Sequence, residues 1–279
     1  MLIFHDIAEI REFVRQARGK GHSIGLVPTM GYLHEGHLSL MRQAKKQCDT
    51  VIISIFVNPT QFGPGEDLAS YPRDLDRDAA MAEGVGVDAV FNPAAAEIYP
   101  PGYSTYIDVE RITEKLCGAS RPGHFRGVAT VVAKLFNIVK PDYAFFGQKD
   151  AQQVLVIKRM AADLNMEVEV VTVPTVREPN GLAMSSRNVY LEPDQRQAAL
   201  ILSSSLNRAA AAVRSGERDA AKIRQLVIDL IKAEPLAEID YVEIYSHPDL
   251  EPVEVIKGPA LLALAVKMGR ARLIDNIIL

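Results

Sequence analysis

Through the first two-thirds of the chain, short apolar runs rich in β-branched residues alternate with longer stretches of helical spacing. The runs at residues 23–27, 50–57, 88–91, 143–146 and 167–173 have strand length, and residues 38–47, 73–83, 128–139 and 151–164 carry helical periodicity. Strands separated by helices return the chain to the same sheet edge, so the pattern predicts parallel βαβ units in an α/β, doubly wound sheet. Ligands of such sheets bind at the carboxyl ends of the strands, on loops that lead into helices. After residues 174–176 the character changes. Two Ala-bearing helices over 195–215 and 220–233 precede strand-like runs at 238–246, 260–266 and 274–278. A smaller α+β domain is expected there, giving domains at 1–176 and 177–279.

Charge and cysteine usage narrow the function. The 31 basic and 35 acidic residues leave a net charge of −4, which gives no basic face for a nucleic-acid partner but leaves room for a small anionic substrate. Cys48 and Cys117 stand far apart, a spacing that suggests neither a disulfide framework nor a cysteine zinc site. His5, Asp6 and Glu9 interrupt any signal-like start, and the longest apolar runs are strand-sized. A cytoplasmic protein without a membrane partner is expected.

The segment Val27-Pro28-Thr29-Met30-Gly31-Tyr32-Leu33-His34-Glu35-Gly36-His37-Leu38 joins a strand to a helix. Histidines three residues apart on a helical turn project to one side. Gly36 lets another group approach the backbone, and a helix start offers unpaired N–H groups and a positive dipole end to phosphate. Two imidazoles there are suited to stabilising charge that moves onto departing pyrophosphate. The competing reading has one histidine capping the helix and the other packed. A metal site has no third ligand at suitable spacing.

A second loop, Glu178-Pro179-Asn180-Gly181-Leu182-Ala183-Met184-Ser185-Ser186-Arg187-Asn188, follows the fifth strand-like run. Ser185 and Ser186 bring hydroxyl and backbone donors, Arg187 a permanent cation for phosphate oxygens, and Gly181 a hinge. Alone it reads as a polar connection. Placed after a His-x-Gly-His motif, it resembles the paired phosphate-contacting motifs of the nucleotidyltransferase superfamily, whose Rossmann-like members attack the α-phosphate of ATP.

Phe145-Phe146-Gly147-Gln148-Lys149-Asp150-Ala151-Gln152-Gln153 is a third strand-to-helix junction. Gly147 permits close backbone approach, Lys149 brings a point charge to the triphosphate, and Asp150 is suited to ribose hydroxyls or to capping. Gln153 lies one turn beyond Asp150. Gln61, in Asn58-Pro59-Thr60-Gln61-Phe62 after the second strand-like run, is an uncharged amide that both donates and accepts. Turn chemistry alone accounts for Asn58-Pro59.

These stretches, with Tyr71-Pro72-Arg73 and Gly123-His124-Phe125-Arg126-Gly127-Val128, resemble the pantothenate synthetase (pantoate–β-alanine ligase) family along essentially the whole chain. The resemblance implies ATP, pantoate and β-alanine as substrates, Mg²⁺ with ATP, a pantoyl-adenylate intermediate and a homodimer. It implies an ATP site from Met30, Gly31, Tyr32, Leu33, His34, Glu35, Gly36, His37, Gly147, Gln148, Lys149, Asp150, Val176, Met184, Ser185, Ser186 and Arg187. Within it, His34, His37, Lys149, Ser185, Ser186 and Arg187 carry the chemistry, while Gln61 and Gln153 hold pantoate or β-alanine. Gln148 departs from the Glu common in relatives. No protein ligand for Mg²⁺ is identified, and Asp76 and Asp78 read as solvated or as partners of a helix dipole. The rivals are another adenylyltransferase acting on a different acid, which has no need of Gln61 and Gln153 together, and a regulatory nucleotide-binding protein without catalysis, which has no need of Lys149.

Overall fold

The computed structural model describes all 279 residues, Met1–Leu279. In chain order it forms β1 (Leu2–Phe4), α1 (Ile7–Gly19), β2 (Ile24–Thr29), α2 (Glu35–Gln47), β3 (Thr50–Ile55), α3 (Leu75–Gly84), β4 (Ala89–Phe91) and α4 (Ala95–Ile98). Then come α5 (Leu116–Ser120), α6 (His124–Val139), β5 (Tyr143–Gly147), α7 (Ala151–Asp163) and β6 (Glu169–Val173). The remainder holds α8 (Pro193–Ala198), α9 (Leu200–Arg214), α10 (Ala220–Lys232), β7 (Ala237–Ser246), β8 (Ala260–Met268) and β9 (Ala271–Ile278). No helix is long and apolar enough to cross a membrane.

The chain divides into two compact units. The first comprises residues 1–110, 121–148 and 156–174. Its sheet has the order β1-β4-β3-β2-β5-β6, and every pair in it is parallel. All six residues of β3 are buried, as a central strand covered on both faces requires. Leu40, Met41 and Ala44 of α2 pack with Val27, Ile53, Val90 and Phe145 in one apolar core. The strand order reverses at β2, which has β3 on one side and β5 on the other. With β3 it pairs from Ile24↔Thr50 to Thr29↔Ile55. With β5 it pairs only at Gly25↔Tyr143 and Leu26↔Ala144. Beyond Leu26 these two strands no longer pair, at the topological switch point where such sheets bind their ligands. Pro28 sits where pairing with β5 has ended, so its missing N–H costs that ladder nothing.

The second unit takes 175–279 together with 111–120 and 149–155. Its antiparallel sheet, β7-β8-β9, shares a core with α9 and α10 through Leu202, Leu206, Ile223, Val227, Ile231, Leu262 and Leu264. Buried Gln152 joins the two earlier segments: its Oε1 accepts from Cys117 N at 2.9 Å, and its Nε2 donates to the Ile112 and Lys115 carbonyls at 2.7 and 2.6 Å.

Several elements differ from the sequence expectation, the short α4 and α5 among them. β1 and α1 are not anticipated, and they make the strand before the Met-Ser-Ser-Arg loop the sixth rather than the fifth. The expected single helix over 195–215 is two, α8 and α9, meeting at Ala199.

Candidate active site

At the carboxyl end of β2 the chain turns sharply. Thr29 Oγ1 donates to the Ser54 carbonyl at 2.7 Å and accepts from Gly31 N at 3.1 Å. Gly31 and Tyr32 then take positive φ, 85° and 50°. A Cβ on Gly31 would lie 3.0 Å from both Asp78 Oδ2 and Ile55 Cγ2, so conformation and space both ask for glycine. The strained turn is held from α3. Asp78, 1% exposed, accepts from Tyr32 N at 2.6 Å and from Leu33 N at 2.7 Å. Arg77 donates to the Leu33 carbonyl at 2.9 Å, pairs with Asp78 at 3.3 Å and lies 5.0 Å from the Tyr32 ring centre. Burial pushes the Asp78 carboxyl above its ordinary value, while the two N–H bonds and Arg77 work against that. Asp78 is therefore not the solvated residue that its place near a helix start suggests. Its carboxylate is spent on backbone.

His34 is the N-cap of α2, and it completes a capping box with His37. Its Nδ1 accepts from Gly36 N at 3.1 Å, and His37 Nδ1 accepts from His34 N at 3.3 Å. A ring nitrogen that accepts carries no proton, so in both neutral rings the hydrogen sits on Nε2. The ring centres are 4.1 Å apart, and both rings are partly exposed. His34 thus caps the helix as the competing reading has it, and His37 closes the same capping box. Glu35 pairs with Arg42 two turns further along α2.

Gln61 ends a 3-10 turn, Pro59–Gln61, whose cap is Asn58. Asn58 is 1% exposed and donates to Gln61 Oε1 at 3.0 Å and to the Gly127 carbonyl at 3.1 Å. Gln61 Nε2 reaches Met30 Sδ at 3.2 Å, which places it beside the histidine turn. The Gln61 carbonyl accepts from Arg121 at 3.3 Å and from His124 Nδ1 at 2.8 Å. Arg121 also holds Glu66 through a two-pronged ion pair, 2.7 and 2.6 Å, which keeps the Glu66 carboxyl down at about 2. Gly147 ends β5 at the same sheet edge, and a Cβ there would meet nothing within 4 Å. Gln148 follows it in a 3-10 turn, Gln148–Asp150.

The other residues anticipated from sequence belong to the second unit. Lys149 Nζ lies 3.8 Å from Asp150 Oδ2, and the Lys149 carbonyl accepts from Asn276 at 2.9 Å. Gln153 is partly exposed on the first turn of α7. Met184 N donates to the Val176 carbonyl at 3.0 Å, closing the loop around Gly181, whose φ is 97°. Ser185 caps the 3-10 turn Ser186–Tyr190 by accepting from Arg187 N at 3.2 Å. The base of this loop is clamped by Arg177 on Asp275 at 2.6 and 2.9 Å, and by Arg196 on Glu178 at 2.6 and 2.7 Å.

The model of one protein family, described as pantoate-beta-alanine ligase, matches residues 2–278. The chain belongs to the pantoate–β-alanine ligase family. Pantothenate synthetase of Pelotomaculum thermopropionicum is 75% identical over 279 residues, covering 100% of this chain and 99% of that one. That of Heliobacterium modesticaldum is 61% identical over 278 residues, with the same coverage. Among solved structures, pantothenate synthetase from Thermus thermophilus superposes with a TM-score of 0.94 at 46% identity, covering 99% of each chain. Pantoate-beta-alanine ligase from Francisella tularensis, complexed with beta-gamma ATP and beta-alanine, gives 0.80 at 35% identity, with 100% and 97% covered. A pantoate–β-alanine ligase is an enzyme of pantothenate formation, and the doubly wound sheet with its smaller antiparallel sheet is the family's architecture.

Sequence reasoning misses the residues that hold this ligase's motifs in place. Asp78, Asn58, Tyr99 and Arg121 are ordinary polar residues in ordinary contexts, and only their burial and main-chain partners mark them out. For Asn58 a signal exists: an Asn that caps a turn at the end of a buried strand faces the sheet's ligand edge.

Proposed function

We propose that this ligase joins pantoate to β-alanine in two steps, with His34, His37, Lys149, Ser185, Ser186 and Arg187 as the groups that act on ATP. In the first, a pantoate carboxylate oxygen attacks the α-phosphorus, and the bond to the β-phosphate oxygen breaks, with its electron pair leaving on pyrophosphate. In the second, the β-alanine amine attacks the acyl carbon of pantoyl adenylate. The C–O bond to AMP breaks, and the amine loses a proton as the amide forms. Gln61 and Gln153 hold pantoate through hydrogen bonds that leave its carboxylate nucleophilic, whereas a cationic clamp would quench it.

The observation that carries this reading is the histidine pair. Two backbone N–H groups occupy both Nδ1 atoms, which leaves Nε2 as the protonated nitrogen of each ring at the N-terminus of α2, on the loop after β2 where its pairing with β5 has ended. Donors fixed before reaction stabilise charge on departing phosphate oxygens without reorganising. The remainder of the ATP site is assigned to Met30–Leu33, Glu35, Gly36, Gly147, Gln148, Asp150, Val176 and Met184, following the family resemblance.

Mg²⁺ enters with ATP. No group of three or more His, Cys, Asp or Glu side chains is arranged to hold a metal ion, and the Asp78 carboxylate is committed to backbone N–H groups. A chain that offers N–H donors and cations suits an ion carried on phosphate oxygens and water, where it offsets their charge. The reading extends to a homodimer working in the cytoplasm, which the family resemblance supports.

Oxygen tracing tests the mechanism. With pantoate labelled by ¹⁸O in its carboxylate, attack at the α-phosphorus delivers one labelled oxygen to AMP. Label in phosphate released from ATP's terminal position would contradict it.

A further inference from the structure

Asn58 stands between two main-chain groups of fixed polarity. Its Oδ1 accepts from Thr60 N at 3.3 Å, and its Nδ2 donates to the Gly127 carbonyl at 3.1 Å. A peptide N–H cannot accept and a carbonyl cannot donate, so the Asn58 amide has one allowed orientation. Its second N–H goes to Gln61 Oε1 at 3.0 Å. The Gln61 carboxamide oxygen is thereby committed, and its NH₂ faces the other way, 3.2 Å from Met30 Sδ. A thioether is a weak acceptor.

Two hydroxyls secure this orientation. Tyr99 OH donates to Asn58 Oδ1 at 2.8 Å, and Thr60 Oγ1 donates to the same oxygen at 2.9 Å. Tyr99 comes from the end of α4, 41 residues along the chain from Asn58. Its ring centre lies 5.0 Å from that of Tyr103 and 6.3 Å from that of Phe56, with Lys134 Nζ at 5.6 Å from the Tyr99 ring. Burial pushes the Tyr99 hydroxyl up to about 12, so it keeps its proton, and its ability to donate, at any pH where the enzyme works.

We infer that Tyr99 is a positioning residue: by holding the Oδ1 of Asn58, whose amide the Thr60 N–H and the Gly127 carbonyl already orient, it keeps the Gln61 amide placed so that it offers the acid substrate its N–H donors. The inference rests on Gln61 belonging to the pantoate pocket. It deepens that reading, because a freely turning glutamine both donates and accepts, whereas this one donates. The pocket then requires an oxygen lone pair of the substrate beside Met30, and it disfavours an acid that presents a donor there.

The test is pyrophosphate release with pantoate and ATP titrated separately, for Tyr99→Phe, Gln61→Ala and the double variant. Tyr99→Phe keeps the ring and its packing. It is expected to raise the KM for pantoate about tenfold, as loss of one orienting hydrogen bond implies, and to leave the KM for ATP unchanged. On a Gln61→Ala background it should add nothing, since two residues acting through one contact are not additive. An equal rise in both KM values, or full additivity with Gln61→Ala, points to packing and overturns the inference. Should Gln61→Ala itself leave the pantoate KM unchanged, Gln61 lies outside the acid pocket and the inference falls with that assignment.

Discussion

Single side chains decide the chemistry here through which of their atoms are already spoken for. His34 and His37 have their Nδ1 atoms filled by backbone N–H groups, a fact that spacing in a sequence cannot convey. The sequence does place both rings at one helix start, although its spacing does not tell that His34 is the extended N-cap and His37 the third helical residue. Lys149, with its ammonium 3.8 Å from Asp150, is expected to act electrostatically. Lys149→Ala should slow adenylate formation by about a hundredfold or more, the scale of losing one positioned charge at a transition state, while the fold persists. Single-turnover quench measurements check this, and near-normal turnover would remove Lys149 from the mechanism. Asp78 makes the opposite case, a charge used for architecture. In Asp78→Asn one of the two N–H groups of Tyr32 and Leu33 faces an NH₂ instead of an oxygen. Leaving a buried donor unpaired costs about 1–3 kcal/mol, so the midpoint of denaturant unfolding should fall and adenylation should slow with it. An unchanged midpoint would show that the turn holds itself.

Among the elements, long strands and helices are legible because burial on two faces or one stripe leaves a period in the sequence. β1 is not legible. It has three residues, two of them largely exposed, and so too few positions to show a pattern. The break at Ala199 is equally silent, because alanine suits both helices that meet there. The junction of α6 with the Gln61 turn is a matter of space. A Cβ on Gly127 would lie 2.3 Å from the Thr60 carbonyl oxygen, a backbone atom that cannot step aside alone. Gly127→Ala should therefore cost about 1–3 kcal/mol, as overpacking does, and weaken pantoate use; a calorimetric melt at the wild-type temperature would contradict this. The loop before α3 is tied to the start of α6 by Glu66 and Arg121. The carboxyl of Glu66 lies at about 2 in the fold, against 4.5 ordinarily. A depressed value means the folded state favours the charged form, so this stabilisation is present above about pH 4.5 and is lost as pH falls toward about 2. Melting temperatures of Glu66→Gln should vary less steeply than those of wild type across that window; parallel curves would mean the pair contributes nothing.

For the whole molecule, the class of fold is readable in advance, and so is the placing of His34, His37, Gln61 and Gly147 at the junctions after buried parallel strands, where such sheets bind ligands. The assignment of residues 111–120 and 149–155 to the second unit is not readable. Gln152 ties those two segments to each other through three backbone groups, and Lys149 and Cys117 meet Asn276 and Tyr241 of the later chain; a helix glutamine looks the same in sequence whether it is solvated or stapled. What the assembled enzyme does with ATP is open to direct measurement. Pyrophosphate release from ATP is followed in Mg²⁺ buffer, with pantoate present and β-alanine first withheld, then added. Release should depend on pantoate and stop at about one equivalent of enzyme until β-alanine arrives, after which AMP and pantothenate appear in equal amounts. Folded protein that binds ATP but releases no pyrophosphate with pantoate would contradict the adenylate mechanism.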